Sequence, residues 1–306
     1  MVSASSTGVA PISRPASNPS KDQKKHIIRN FTNRRLHVAI AFGVALLAAT
    51  HAHAELSPED LAKIAQNPVG NLISVPFQEN AYFNVGPLNG TQNVLNIQPV
   101  IPISISDEWN IITRTILPII SLPAFAPGQS STSGIGDAQL SAFLSPAKPG
   151  AWIWGVGPVF QLPTHSNDLL GNNNAGLGPT FVVLHLEKGS PWVYGVLVNN
   201  IWSMGSSGNP FSNAPKYNNG LMQPFVNYNF EGGLYLTTAP IITVNWEAKG
   251  SQQWTVPMGG GVGKLFKIGR LPVNTQLQAF YNVVRPDFAN NWQIRAQVQF
   301  MFPKSF

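Results

Sequence analysis

The sequence predicts an all-β chain: a single antiparallel transmembrane β-barrel of about 12 strands, preceded by a short N-terminal helix. Three observations predict it. Segments of roughly ten to thirteen residues alternate bulky apolar side chains with small or polar ones, the period-2 pattern of a barrel wall. Connections between these segments alternate short and long. Tryptophans recur at two levels, near opposite ends of the segments.

The stretch Trp152–Trp202 shows all three. Trp152, Trp154, Val156, Pro158, Phe160 and Leu162 fall on one face of its first strand, and Ile153, Gly155, Gly157, Val159 and Gln161 on the other. A polar loop, a second strand, the turn Lys188-Gly189-Ser190 and a third strand follow. The closing segments alternate more cleanly still. Ile294, Ala296, Val298, Phe300 and Phe302 oppose Gln293, Arg295, Gln297 and Gln299.

Residues 1–54 read as a leader. They carry seven Lys/Arg against Asp22 alone, so the whole formal charge of +6 belongs to them and the remainder is neutral. The pI of about 9.6 therefore gives no basic patch for a nucleic acid. Arg29, Arg34 and Arg35 precede the apolar run Val38–Ala49, and Ala52-His53-Ala54 offers a signal-peptidase site with a mature start at about Glu55. The chain has 0 cysteines, which excludes disulfides, thiolate metal sites and cysteine nucleophiles.

Residues 55–70 predict a short periplasmic helix: a tether, a plug, or a frayed N-terminal helix with no role. Ser57 caps it, Pro58 suits its first turn, Glu59 and Asp60 favour its positive end, and Asn67-Pro68 stops it. Residues 71–306 form the barrel. Its strands are expected at 71–84, 93–105, 109–121, 137–145, 151–163, 176–187, 192–204, 220–230, 234–247, 253–265, 272–284 and 292–302. Turns after even strands are short. Loops after odd strands are mostly longer, notably 122–136, 164–175 and 205–219, which puts both termini on the periplasmic side. Pro99, Pro118, Pro158, Pro179, Pro224, Pro240 and Pro257 oppose the pattern, because proline cannot donate to a ladder. About one per strand reads as a ring of kinks or bulges.

The polar faces give the candidate lumen lining: Asn96, Gln98, Arg114, Gln139, Gln161, Gln223, Asn227, Asn245, Gln276, Gln278, Arg295, Gln297 and Gln299. Neutral Asn and Gln hydrate a lumen without imposing charge selectivity. Arg114, Arg295 and Glu247 are the candidate lumen charges. The aromatic girdle is Trp109, Trp152 and Trp192 at the periplasmic level, with Trp202, Trp246, Trp254 and Trp292 at the outer level. Phe306 is a candidate signal for the outer-membrane assembly machinery, a partner together with outer-membrane lipid and a small-molecule solute.

No catalytic constellation stands out. His165-Ser166-Asn167-Asp168 contains triad residue types, but neighbours on an extended chain point to opposite sides, so His165 reads as a solvated loop group. His185 with Glu187 reads as a turn-proximal pair. Asn172-Asn173-Asn174 reads as a flexible loop tip, and Gly259-Gly260-Gly261 as close packing or a strand bend. No ligand set for a metal and no cofactor motif is present.

The runs GIGDAQLSAFLSP (134–146), GVGPVFQLPT (155–164), NNNAGLGPTFVV (172–183), FVNYNFEGGLYL (225–236) and NWQIRAQVQFMFP (291–303) resemble a family of exported proteobacterial proteins. These are labelled as phenol meta-pathway transporters and are often mislabelled neuromedin U. The resemblance covers roughly residues 55–306. It implies an outer-membrane barrel passing small solutes, aromatic or hydrophobic ones among them. The function expected is a passive channel. The alternatives are a non-transporting structural barrel and, behind it, an outer-membrane lipid-modifying hydrolase.

Overall fold

The computed structural model describes residues 57–204 and 216–302. The leader, the Glu55 start, most of the loop 205–219 and Phe306 lie outside the described residues.

The helix α1 spans Pro58–Ala65. Fifteen strand segments follow: β1 (Ile73–Val85), β2 (Gly90–Ile97), β3 (Val100–Ser104), β4 (Trp109–Leu122) and β5 (Thr132–Ile135). Next come β6 (Ala138–Pro146), β7 (Trp152–Leu162), β8 (Gly176–Leu186), β9 (Trp192–Ser203) and β10 (Asn218–Asn229). The last are β11 (Leu234–Thr238), β12 (Ile242–Asn245), β13 (Trp254–Ile268), β14 (Leu271–Val284) and β15 (Trp292–Phe302). Three pairs, β2/β3, β5/β6 and β11/β12, are halves of one stave each, interrupted by a break. The segments thus make a closed antiparallel barrel of 12 staves, sealed where β15 pairs with β1 over eleven consecutive residue pairs. Each expected strand has its stave.

Alternation decides which face turns inward. On β15, Gln293, Arg295, Gln299 and Met301 are buried, while Trp292, Ala296, Val298 and Phe302 are exposed. Cross-strand partners share a face, so Arg295 opposite Asn80 and Gln278 carries the inward set onto β1 and β14. Outward, the wall presents Phe77, Phe181, Met222, Val262 and Leu277, all exposed. Both tryptophan levels lie on this outer face or at its rim. Trp109 meets Trp154 edge to face at 5.9 Å, Trp246 meets Trp254 at 5.7 Å, and Trp292 stacks on Phe83 at 4.1 Å.

The prolines account for the breaks. Pro99 separates β2 from β3 and Pro240 separates β11 from β12. Pro257 sits at the register shift between β13 and β14. Pro118 accepts from the Gly136 amide, 2.9 Å, at the break between β5 and β6. Pro158 lies directly opposite Pro179. On the far side of each, the ladder opens: β6–β7 pairing skips from Ser141↔Val159 to Leu144↔Val156, and β8–β9 pairing skips from Leu177↔Trp202 to Thr180↔Asn199. A proline needs a neighbour that expects no N–H there, and these gaps supply it. Registers are kept across both gaps, so the side-chain alternation survives. The seam β14–β15–β1 has no such gap.

Candidate functional site

The interior is two-sided. One strip is polar and runs over β1, β14 and β15, extended by Gln98 and Arg114 on the β1–β4 side. Asn80 takes a hydrogen bond from Arg295 Nε at 3.1 Å, and Gln78 Nε2 donates to Asn80 Oδ1 at 3.2 Å. Asn274 accepts from the Tyr235 hydroxyl, 2.7 Å, and donates to Gln299, 3.1 Å. Gln278 donates to Gln276 at 3.0 Å, and Arg114 donates to Gln98 at 2.6 Å. The facing strip is apolar: Val100, Ile112, Phe143, Ile153, Val182, Leu184, Val193, Leu197 and Phe225 pack together with Val69.

The helix α1 closes the barrel at the end where β1 begins. Ser57 caps it by accepting from the Asp60 amide, 3.1 Å. Leu61 and Ala62 are buried against Tyr235, Leu265 and Met301, which point inward from three staves. Just past the helix, Gln66 and Asn229 exchange amide hydrogen bonds of 2.7 and 3.2 Å. The Glu59 carboxylate accepts from the backbone amide of Gly232. Gly232 and Gly233 hold φ of 74° and 79°, the left-handed region that glycine allows, which aims that amide at the helix. The helix and the residue after it are thus seated against the inner face of the wall.

Two cavities lie on the inner face among the described residues. The inner one, about 150 Å³, has Ala65–Pro68 as its floor and is lined by Gln98, Arg114, Gln223, Asn227, Gln276, Gln278, Arg295, Gln297 and Gln299. The outer one, about 470 Å³, collects Gln139, Gln161 and Asn245, together with Asn199, Asn219, Thr243 and Thr255. Asn96 borders neither; it sits on the inner face opposite Gln78. The sequence reading missed Gln78 and Asn80, whose alternation with Phe77 and Ala81 carried the signal, and Gln66 and Tyr235, which carried none.

Several expectations are corrected. Glu247 is not a lumen charge: it is exposed in the turn after β12. His165 is not solvated. Its side chain is 6% exposed and its Nδ1 lies 2.6 Å from Asp137 Oδ1. Asp137 also accepts from the Asn172 amide, 2.6 Å, so this carboxylate ties the loop 163–175 to the β5/β6 break. The Asn172–Asn174 run is accordingly built in: Asn174 is buried and its carbonyl accepts from the Tyr217 hydroxyl at 3.1 Å. Burial, with the Asp137 charge second, pushes that hydroxyl up to about 12. His185 does not pair with Glu187; its ring stacks on Tyr194 at 5.2 Å and meets Trp152 edge-on at 4.9 Å.

These contacts place a base beside a carboxylate but no nucleophile in register with them. Ser166 Oγ accepts from the Ile135 amide at 3.0 Å. Among the described residues no three His, Asp or Glu side chains gather as a metal site.

No protein-family model and no curated protein sequence matches the chain. Solved structures do. An outer-membrane channel from Pseudomonas putida F1 superposes with a TM-score of 0.56 at 19% identity, covering 76% of this chain and 94% of that one. The NanC porin gives 0.45 at 8% identity, covering 75% and 98%, and the Salmonella typhi outer membrane phospholipase gives 0.41 at 13%, covering 80% and 99%. The first of these supports the closed 12-stave fold.

Proposed function

We propose that this chain is an outer-membrane channel for small solutes, its periplasmic end held shut by α1. The observation that carries the reading is the inversion of the barrel: apolar residues between two tryptophan levels face out, while amide side chains, two arginines and cavities lie inside. A water-soluble barrel has no use for that arrangement. The mature protein is exported behind the leader, cleaved near Glu55, and inserted by the outer-membrane assembly machinery. The apolar interior strip beside the polar one suits solutes with an apolar body, in keeping with the family resemblance to phenol meta-pathway transporters.

The seated plug favours a second reading, a barrel that is closed and purely structural. Conductance of the purified protein in a planar bilayer separates the two. Discrete openings are expected. A silent bilayer, with the barrel shown intact by heat-modifiable migration on SDS gels, would overturn the channel reading. Recovery from the soluble periplasmic fraction would overturn the membrane location as well. Among the described residues the hydrolase reading finds no serine bonded to His165, and His165→Ala combined with His185→Ala is expected to leave passage unchanged.

A further inference from the structure

Arg295 is 2% exposed and has no carboxylate partner among the described residues. Its Nε donates to Asn80 Oδ1 at 3.1 Å and its Nη1 to the Ala239 carbonyl at 2.8 Å. Its carbon centre lies 5.0 Å from the Phe280 ring centroid. Its Nη2 is buried with no partner at all. A buried guanidinium is costly unless every donor is met, and neutral acceptors meet only two sides of this one.

Arg114 lines the same cavity from the other side of β1, and its guanidinium donates to the neutral oxygen of Gln98 at 2.6 Å. No Asp or Glu is among the residues lining this cavity. Two fixed positive charges thus border a space with no negative charge to balance them. Val100, Leu197, Phe225 and Ala239 add apolar surface to the same lining, Val100 beside Arg114 in register and Ala239 at the Arg295 guanidinium. The volume of about 150 Å³ is that of a cavity that takes one benzene ring.

We propose that the inner cavity is a binding site for a small organic carboxylate. The carboxylate accepts from Arg295 Nη2 and Arg114, and an aromatic or short aliphatic body lies against Leu197 and Phe225. Charge-assisted hydrogen bonds from a guanidinium are the strongest that an anion can collect in such a place, and arginine-lined constrictions select anions. The proposal deepens the channel reading and rests on it for its biological meaning, since the site lies between the outer cavity and the plug. The competing occupant is a water bridging Arg295 Nη2 to the Oε1 of Gln278, its cross-strand neighbour, which is also buried without a partner.

The test is calorimetric titration of the detergent-solubilised full chain with sodium benzoate, benzamide and benzylamine. Benzamide keeps the shape and loses the charge; benzylamine reverses it. Benzoate is expected to bind about tenfold more tightly than benzamide, the scale of a charge-assisted over a neutral hydrogen bond. Benzylamine is expected not to bind. Arg295→Gln and Arg114→Gln, each checked for heat-modifiable migration, are expected to erase the preference, and Arg295→Lys to keep part of it. Equal binding of benzoate and benzamide overturns the proposal in favour of water. So does undiminished preference in Arg114→Gln, a part-buried position whose replacement leaves the ladder intact. If Arg295→Gln fails to assemble, the wild-type comparison and Arg114→Gln decide. Titration reads the site even in a protein that conducts nothing, so loss of the channel reading and loss of this site are separate results.

Discussion

Gln66 and Asn229 are 163 residues apart and exchange two side-chain amide hydrogen bonds, with Asn229 also donating to the Pro191 carbonyl at 3.0 Å. This reciprocal pair joins the residue after α1 to the inner face of β10. Both groups are buried, so removing one strands the other at a cost of about 1–3 kcal/mol. Asn229→Leu is therefore expected to loosen the plug without harming the wall, whose own ladder through β10 is unaffected. Single-channel recordings should show longer or larger openings. The chain has no cysteine, so Gln66→Cys with Asn229→Cys gives a clean lock: oxidation should suppress conductance and a reductant restore it. Conductance indifferent to the lock would show that solute does not pass α1.

The other hold on the helix is acidic. Hydrogen bonds from the backbone amides of Glu59 itself and of Gly232, aided by Ser57, keep the Glu59 carboxyl below its ordinary 4.5. A depressed value means the stabilisation is fully present above 4.5 and is lost as pH falls through the lower folded value. The group is exposed, so the effect is small. Openings should become more frequent as pH is lowered past 4.5 in bilayer recordings, and Glu59→Gln should remove that component. A pH response unchanged in Glu59→Gln would place the sensitive group elsewhere.

What was legible in the sequence was local. The alternation in β14 and β15 fixed which of Gln297 and Val298 turns inward, because period-2 patterning needs no knowledge of the partner strand. Trp109, Trp152 and Trp192 marked strand starts for the same reason. What was not legible depends on pairing between distant residues. A proline announces a missing donor, yet only register places Pro158 opposite Pro179 and turns two defects into one tolerated feature. The Gln66–Asn229 pair has no local signature, so α1 read equally well as tether or plug. His165 read as a loop group because nothing in its own segment points to Asp137, 28 residues earlier.

The gaps flanking the proline pair make two glycines indispensable. A Cβ on Gly157 would overlap the carbonyl of Ala142, and one on Gly178 the carbonyl of Asn200. Both obstacles are backbone and cannot swing aside, so the strands would have to part. Gly157→Ala and Gly178→Ala are each expected to abolish or strongly impair barrel assembly, read as lost heat-modifiable migration. Gly150→Ala is the control, because nothing lies within 4 Å of its Cβ position. Normal assembly of the first two would mean that the gaps are wider than the structure has them.

The wall itself is tested on β15, where one strand offers both faces. Val298 is exposed on the outer face, and its neighbours in register are Phe77 and Thr275. Gln297 lines the inner cavity between Gln78 and Gln276. An arginine at 298 would meet hydrocarbon near the middle of the strand, at a cost of about 2–4 kcal/mol. Val298→Arg is therefore expected to lower assembly yield and the urea midpoint of unfolding. Gln297→Arg adds its charge to an interior that already holds Arg114 and Arg295, beside amide oxygens that can accept from it. It should assemble and shift the reversal potential in a salt gradient toward anions. Single cysteines at 295 to 300 extend the test along the strand. With a water-soluble thiol reagent, positions 295, 297 and 299 should react through the lumen, while 296, 298 and 300 stay shielded by lipid. Reaction at every position would mean that β15 does not separate water from membrane, and reaction at the even ones alone would reverse the inside and outside assigned to all 12 staves.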